Sequence, residues 1–129
     1  MYDTRLKDCV FCNLDKKIIR RNNNLAVAFD DKYPVTQGHV LVTPIRHVES
    51  FFDLASGEHK ACLNLLQDMK QAIMEKDSTV SGFNVGVNDG TVAGQTIVHC
   101  HNHLIPRRKG DTSDPRGGVR HVVPSKGYY

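Results

Sequence analysis

Residues 95–108, QTIVHCHNHLIPRR, set His99, His101 and His103 on every second position of a largely apolar run. Alternation at period two marks an extended strand, whose successive side chains point to opposite faces. Read as a strand over 97–105, the run turns all three imidazoles to one face. At about 3.3 Å per residue the outer pair lies ~13 Å apart, whereas a zinc–nitrogen bond spans about 2.0–2.1 Å. Two neighbours can share one ion, but three can do so only nearly in a line. The pattern is therefore not a three-ligand metal cage. Three readings remain: a set of acid–base groups, a nucleophile with attendants, or the half-exposed face of an ordinary strand. Neutral imidazole attacks phosphorus competently, and a pKa near ~6.5 lets a neighbour hold or donate a proton at neutral pH. His101, flanked on both sides, is the natural nucleophile.

Moving outward, GFNVGVN (82–88) alternates Phe83, Val85 and Val87 with Asn84, Gly86 and Asn88 and reads as a strand, followed by the loop NDGTVAG. LAVAF (25–29) and HVLVTP, from His39, read as two more strands, separated by the turn-forming YPVTQG. Between these groups the period changes. Ala61, Cys62, Leu65, Leu66, Met69, Ala72 and Ile73 recur at spacings of three and four, predicting an amphipathic helix from Ser56 to Lys76. Ser56 is its expected cap, and Glu58 puts negative charge at the positive end. From Gly110 the tail GDTSDPRGGVRHVVPSKGYY is rich in Gly, Pro and charge, predicting irregular surface structure with RHVVP as a short edge strand. Strands, helix, strands predict an α+β architecture: an antiparallel sheet of about five strands with one main amphipathic helix. The expected division is a domain over 1–109 and a tail over 110–129.

Composition narrows the partners. Seventeen Lys and Arg against fourteen Asp and Glu give a formal charge of +3 with no long basic tract, so nucleic-acid binding is not indicated, while a small anionic ligand is compatible. The start, MYDTRLKDCVFC, has no apolar signal core, and no apolar run approaches membrane-spanning length, so no membrane association is expected. Four cysteines, two of them as Cys9-x-x-Cys12, suit a cytoplasmic protein with reduced thiols or a metal better than a disulfide scaffold. Cys9-x-x-Cys12 alone is equally a redox pair or half a metal site; Cys62 on the helix and Cys100 on the strand's opposite face read as core thiols.

QTIVHCHNHLIP resembles the signature of the histidine-triad (HIT) superfamily, His-x-His-x-His followed by two apolar residues. FDDKYPVTQGHVLVTPIRH, upstream, is similar to that family's nucleotide-pocket segment, and with CVFC the resemblance runs from Cys9 to Arg107. Asn102 departs from the pattern, which usually has an apolar residue there. The resemblance implies a nucleotide hydrolase or transferase that binds a purine nucleotide and attacks its α-phosphate. By position, His101 would form a covalent nucleotidyl-histidine, its other ring nitrogen held as a donor by a backbone carbonyl. His103 would contact phosphate oxygens and protonate the leaving group or steer water, and His39 would support the triad's protonation pattern. Gly94, Gln95 and Thr96 would supply donors to the equatorial oxygens, Asn88 would lie near the scissile bridge, and Asp31 would accept from the ribose hydroxyls.

The resemblance also implies a structural zinc ion, Zn2+, bound by Cys9, Cys12, His47 and His99, which would leave His101 and His103 to the chemistry. Arg107, Arg108 and Lys109 directly follow the triad, and positive charge there suits a polyphosphate leaving group. A dinucleoside polyphosphate hydrolase, acting on diadenosine tetraphosphate or its like, is the favoured expectation. A nucleoside phosphoramidase and a nucleotide-binding interaction protein with incidental turnover are the alternatives. Family members are commonly homodimers in which the sheet continues across the twofold axis, and a dimer is expected here.

Overall fold

The computed structural model describes residues 6–129; the first five residues of the expected 1–109 domain lie outside the described residues. Five strands form one antiparallel sheet: β1 (Ile19–Asn22), β2 (Ala26–Asp30), β3 (Val40–Pro44), β4 (Val80–Val87) and β5 (Asn102–Arg108), in the order β1-β2-β3-β5-β4. The single long helix, α1 (Ser56–Lys76), follows β3 and packs across one face of the sheet. Ala26, Ala28, Val40, Val42 and Leu104 present that face, and Leu65, Met69 and Ile73 of α1 close on them. Alternation then sends the other set of side chains to the opposite face. Val40 pairs with Leu104 and Leu41 with His103, so His103 stands on the face that α1 leaves open. His39, one residue before β3, shares its parity with Leu41.

The helix begins where its period begins, but Ser56 does not cap it. Ser56 is the first helical residue and Ala55 holds the cap position, with no side chain able to accept a hydrogen bond. Glu58 does that work from inside the first turn, accepting from the Ala55 N–H at 2.9 Å. Arg46, just past β3, grips the same carboxylate through two bonds of 2.7 and 3.1 Å, and this pairing holds the Glu58 carboxyl below its ordinary pKa. The fork fixes the start of α1 to the end of β3.

Two strand expectations need correction. The fifth strand is not RHVVP: Gly118–Val122 forms a 3-10 turn, and the remaining strand is β1, at the edge opposite β4. Only Ile19 of β1 is even half-buried, so its residues carry no period-two pattern to read. The triad run is also not extended from residue 97, because the chain bends through Ile97–His99 and enters the sheet only at Asn102. Asn102, the polar departure, is buried and satisfied, its amide donating to the Val42 carbonyl at 3.1 Å.

Candidate active site and metal centre

The bend before β5 separates the three histidines. His99 is fully buried and turns toward the N-terminal loop, away from the open face. Its Nε2 donates to the Pro44 carbonyl at 2.8 Å, which leaves the lone pair on Nδ1. That lone pair faces Cys9 Sγ at 3.5 Å and Cys12 Sγ at 3.4 Å, while His47 Nδ1 lies 3.2 Å from Cys12 Sγ. The four ligating atoms of Cys9, Cys12, His47 and His99 all lie within 4.8 Å of one another. A tetrahedral ion with bonds of about 2.3 Å to sulfur and 2.0–2.1 Å to nitrogen sets sulfur and nitrogen ~3.6 Å apart, close to the observed spacings. The donor set fits a closed metal centre.

His101 remains beside the open face, 7% exposed. Its Nδ1 donates to the His99 carbonyl at 2.9 Å, so Nε2 carries the lone pair. Phe11, from between the two thiols of the loop, sets its ring edge to face with His101 at 5.0 Å between centroids. His103 flanks the other side at 5.2 Å. A chain of donors fixes its tautomer as well. The Val35 N–H donates to His39 Nδ1 at 3.1 Å, so His39 Nε2 carries hydrogen and donates to His103 Nδ1 at 2.9 Å. His103 Nε2 is left as an N–H donor. Burial, joined by the neighbouring imidazoles of His101 and His39, pushes His103 down to about 4, so the ring is neutral at physiological pH. Burial also lowers His39, against the pull of Asp31. Asp31 Oδ2 lies 3.4 Å from His39 Nε2, and its Oδ1 accepts from the Tyr33 N–H at 2.8 Å.

A cavity of about 680 Å³ opens beside this pair, lined by His39, His103, Asn88 and Arg107 among others. The expected phosphate-loop donors are differently placed. Gly94 N–H and Gln95 N–H bond the Thr91 and Gly90 carbonyls at 3.0 and 3.1 Å. The Gln95 amide is engaged on both sides, accepting from Gly90 N–H and donating to the Glu49 and Ile97 carbonyls. Thr96 lines a separate depression shared with Cys9 and His47. Arg107 reaches the cavity but is held by Asp111 through two bonds of 2.7 and 2.8 Å and by Asn84 at 2.7 Å. Its charge is matched, a fact invisible in the run RRK. Phe11, an apolar residue in a loop, gives no periodic signal, and the tail residues Gly118–Val122, which overlap the RHVVP run predicted as a strand, form a 3-10 turn on the cavity instead.

A model of the HIT domain matches residues 13–110. The chain belongs to the HIT family. Among relatives, an uncharacterized HIT-like protein of Saccharolobus solfataricus is 31% identical over 125 residues, covering 94% of this chain and 89% of that protein. The asymmetrical bis(5'-nucleosyl)-tetraphosphatase of Schizosaccharomyces pombe is 41% identical over 90 residues, 70% of this chain and 49% of that enzyme. Among solved structures, a zinc-bound histidine triad family protein from Mycobacterium smegmatis superposes with a TM-score of 0.73 at 30% identity, covering 83% of this chain and 80% of that one. Among the described residues, no helix of this HIT protein is long and apolar enough to cross a membrane.

Proposed function

We propose that this HIT protein is a nucleotide hydrolase or nucleotidyl transferase that attacks the α-phosphate of a purine nucleotide through a nucleotidyl-His101 intermediate, with dinucleoside polyphosphates such as diadenosine tetraphosphate as its substrates. One observation carries the reading: the His99 carbonyl takes the Nδ1 hydrogen of His101, leaving an unprotonated Nε2 beside a second imidazole whose N–H is aimed outward. In the first step the Nε2 lone pair forms a bond to phosphorus, the bond to the bridging oxygen breaks, and the leaving nucleotide departs with the electron pair. Water then attacks phosphorus, the N–P bond breaks, and a nucleoside monophosphate is released as the proton of water passes to solvent. His103 Nε2–H and the Asn88 amide serve as donors to the phosphate oxygens, and His39 holds the tautomer of His103. Asp31 accepts from the ribose hydroxyls, Gly94 and Gln95 brace the adjoining loop, and Thr96 offers its hydroxyl there. Arg107, matched by Asp111, shapes the wall of the cavity.

The neutral state of His103 supports polyphosphates over phosphoramidates. A phosphate leaving group departs unprotonated, whereas an amine needs a proton that a neutral imidazole N–H does not release. The similarity to the Schizosaccharomyces pombe tetraphosphatase supports the same choice. The matched charge of Arg107 favours the second reading, a nucleoside phosphoramidase, since no unpaired cation of that strand awaits a polyphosphate. Comparing kcat/KM on diadenosine tetraphosphate and on an adenosine phosphoramidate separates the two. A preference for the tetraphosphate is expected, and a preference for the phosphoramidate would overturn the choice.

Cys9, Cys12, His47 and His99 would hold zinc as a closed structural site, supported by the ligand spacings and by the zinc-bound relative. The ion would supply folding energy and tie the N-terminal loop to the approach of β5. Metal analysis of protein purified without chelator should return one zinc per chain; its absence refutes the site. Residues 1–109 would then form the catalytic unit, with 110–129 as an appendage to it. The unpaired edge of β4, with exposed Phe52, Leu63 and Val85 nearby, supports a homodimer in which the sheet continues into a partner copy. Sedimentation at twice the chain mass is the expected result. The reading places the protein in the cytoplasm, with a purine nucleotide and a second copy as its partners.

A further inference from the structure

The tail beyond Gly110 builds a wall. His121 donates through Nε2 to the Arg116 carbonyl at 2.7 Å and carries the Tyr128 ring at 4.4 Å between centroids. Arg120 donates to the Gly127 carbonyl at 3.0 Å and covers the Tyr129 ring. Gly127 presses against the His121 ring so closely that any Cβ would run into it. Gly118, at φ +48°, brings the tail backbone against β4, where a Cβ would lie 3.4 Å from Asn84 Nδ2. These contacts seat Gly118–Val122 on the cavity that His39 and His103 also line.

The wall offers that cavity two aliphatic side chains and the His121 ring, which is itself held by the Arg116 carbonyl and Tyr128. Val119 and Val122 come from the tail, and Val35, Val85 and Ile105 from the sheet side. Arg107, the one arginine or lysine in the cavity's lining, is already paired with Asp111. Asp31, assigned above to the ribose of the attacked nucleotide, does not line it. At about 680 Å³ it is far larger than a phosphate needs and lies within the ~300–1,000 Å³ of ordinary ligand pockets. Aliphatic walls without an unpaired cation suit an uncharged flat ring better than a terminal phosphate.

We infer that the cavity roofed by Gly118–Val122 is the subsite for the nucleoside at the far end of the leaving group, so that the tail makes this protein select substrates carrying a second nucleoside. The inference rests on the hydrolase reading above and names what that reading leaves open, the far end of the substrate. It makes no demand on the metal centre.

Binding of two non-hydrolysable ligands tests it: a methylene-bridged diadenosine tetraphosphate and the matching adenosine tetraphosphate, which has the same phosphates and no second nucleoside. The unaltered protein should bind the dinucleoside compound about tenfold more tightly, a gain of the size that burying one ring gives. Val119→Asp and Val122→Asp, each at an exposed position (59% and 80%), should bring the ratio toward one. Val123→Asp, exposed but outside the cavity lining, should leave it unchanged. Equal or tighter binding of adenosine tetraphosphate by the unaltered protein, or an unchanged ratio in both tail variants, would overturn the subsite while the hydrolase reading stands. Binding of neither ligand would overturn the hydrolase reading and the subsite together.

Discussion

Among the described residues, two clusters bring histidines together with other ligating side chains to within 4.8 Å, and they are built on opposite principles. In the Cys9–Cys12–His47–His99 cluster, the hydrogen of His99 is drawn outward to the Pro44 carbonyl, so its lone pair points inward at two thiols. Thiol hydrogens can bridge this cluster in the metal-free protein, and a cation fits in their place. In the Asp31–His39–His103 cluster, the outward contact is a donor, the Val35 N–H, so the hydrogen of His39 points inward and bridges to His103. A proton already occupies the place a metal would take. The element that decides between them is one backbone group: a carbonyl behind the ring makes a ligand, and an amide behind it makes a relay. His101 borrows from both, with a carbonyl behind it but an open face ahead.

The contrast can be broken by substitution, and the largest effect is expected at His101. His101→Ala should lower turnover by about 10⁴-fold or more, the scale of losing a nucleophile, while leaving metal content unchanged. Steady-state rates with metal analysis on the same sample check both halves. Next comes Cys12→Ser, which should release the metal and destabilise the fold by more than about 4 kcal/mol, the range reserved for lost metals and disulfides. Denaturant unfolding measures it; a variant as stable as the parent would remove the metal from the folding account. The relay should behave in reverse. His39→Ala should cut kcat by about 10²-fold while the metal stays bound, and equal loss of metal and rate would show that the two clusters are not independent.

The smallest expected effect is a pH slope. His103 titrates near 4 in the folded chain against an unfolded value near ~6.5, so between these values the unfolded chain binds the extra proton. Its contribution is therefore fully present above ~6.5, is lost as pH falls toward about 4, and is flat below. Thermal unfolding of metal-loaded protein should give a shallower slope over that window for His103→Asn than for the parent. Identical slopes would mean that His103 is not the buried neutral ring described.

The sequence made visible what repeats. β2, β3, β4 and α1 lie within a residue or two of where their apolar patterns put them, although β3 is buried on both faces. β1 was hidden because an edge strand with exposed Arg20, Arg21 and Asn22 has no buried alternation. The bend at Ile97–His99 was hidden for a different reason. His99 leaves the sheet to join Cys9, Cys12 and His47, and period two over 99–103 is coincidence in one member and structure in another. The residue types of both clusters were legible from the chain and its family resemblance. The tautomers were not, since each depends on a backbone group that only the fold brings near: Pro44 behind His99, Val35 behind His39. The matched charge of Arg107 was out of reach likewise, because the tail residue Asp111 and the β4 residue Asn84 meet it only in three dimensions.

The central claim is that the middle histidine of the run, through its Nε2, takes the nucleotide. Alkaline quenching of a single turnover with diadenosine tetraphosphate, followed by mass spectrometric mapping of the peptide spanning residues 97–107, tests it most directly. An adenylyl group on His101 is the predicted result. Full turnover with the group on His99 or His103, or with no adduct at any time point, would contradict it.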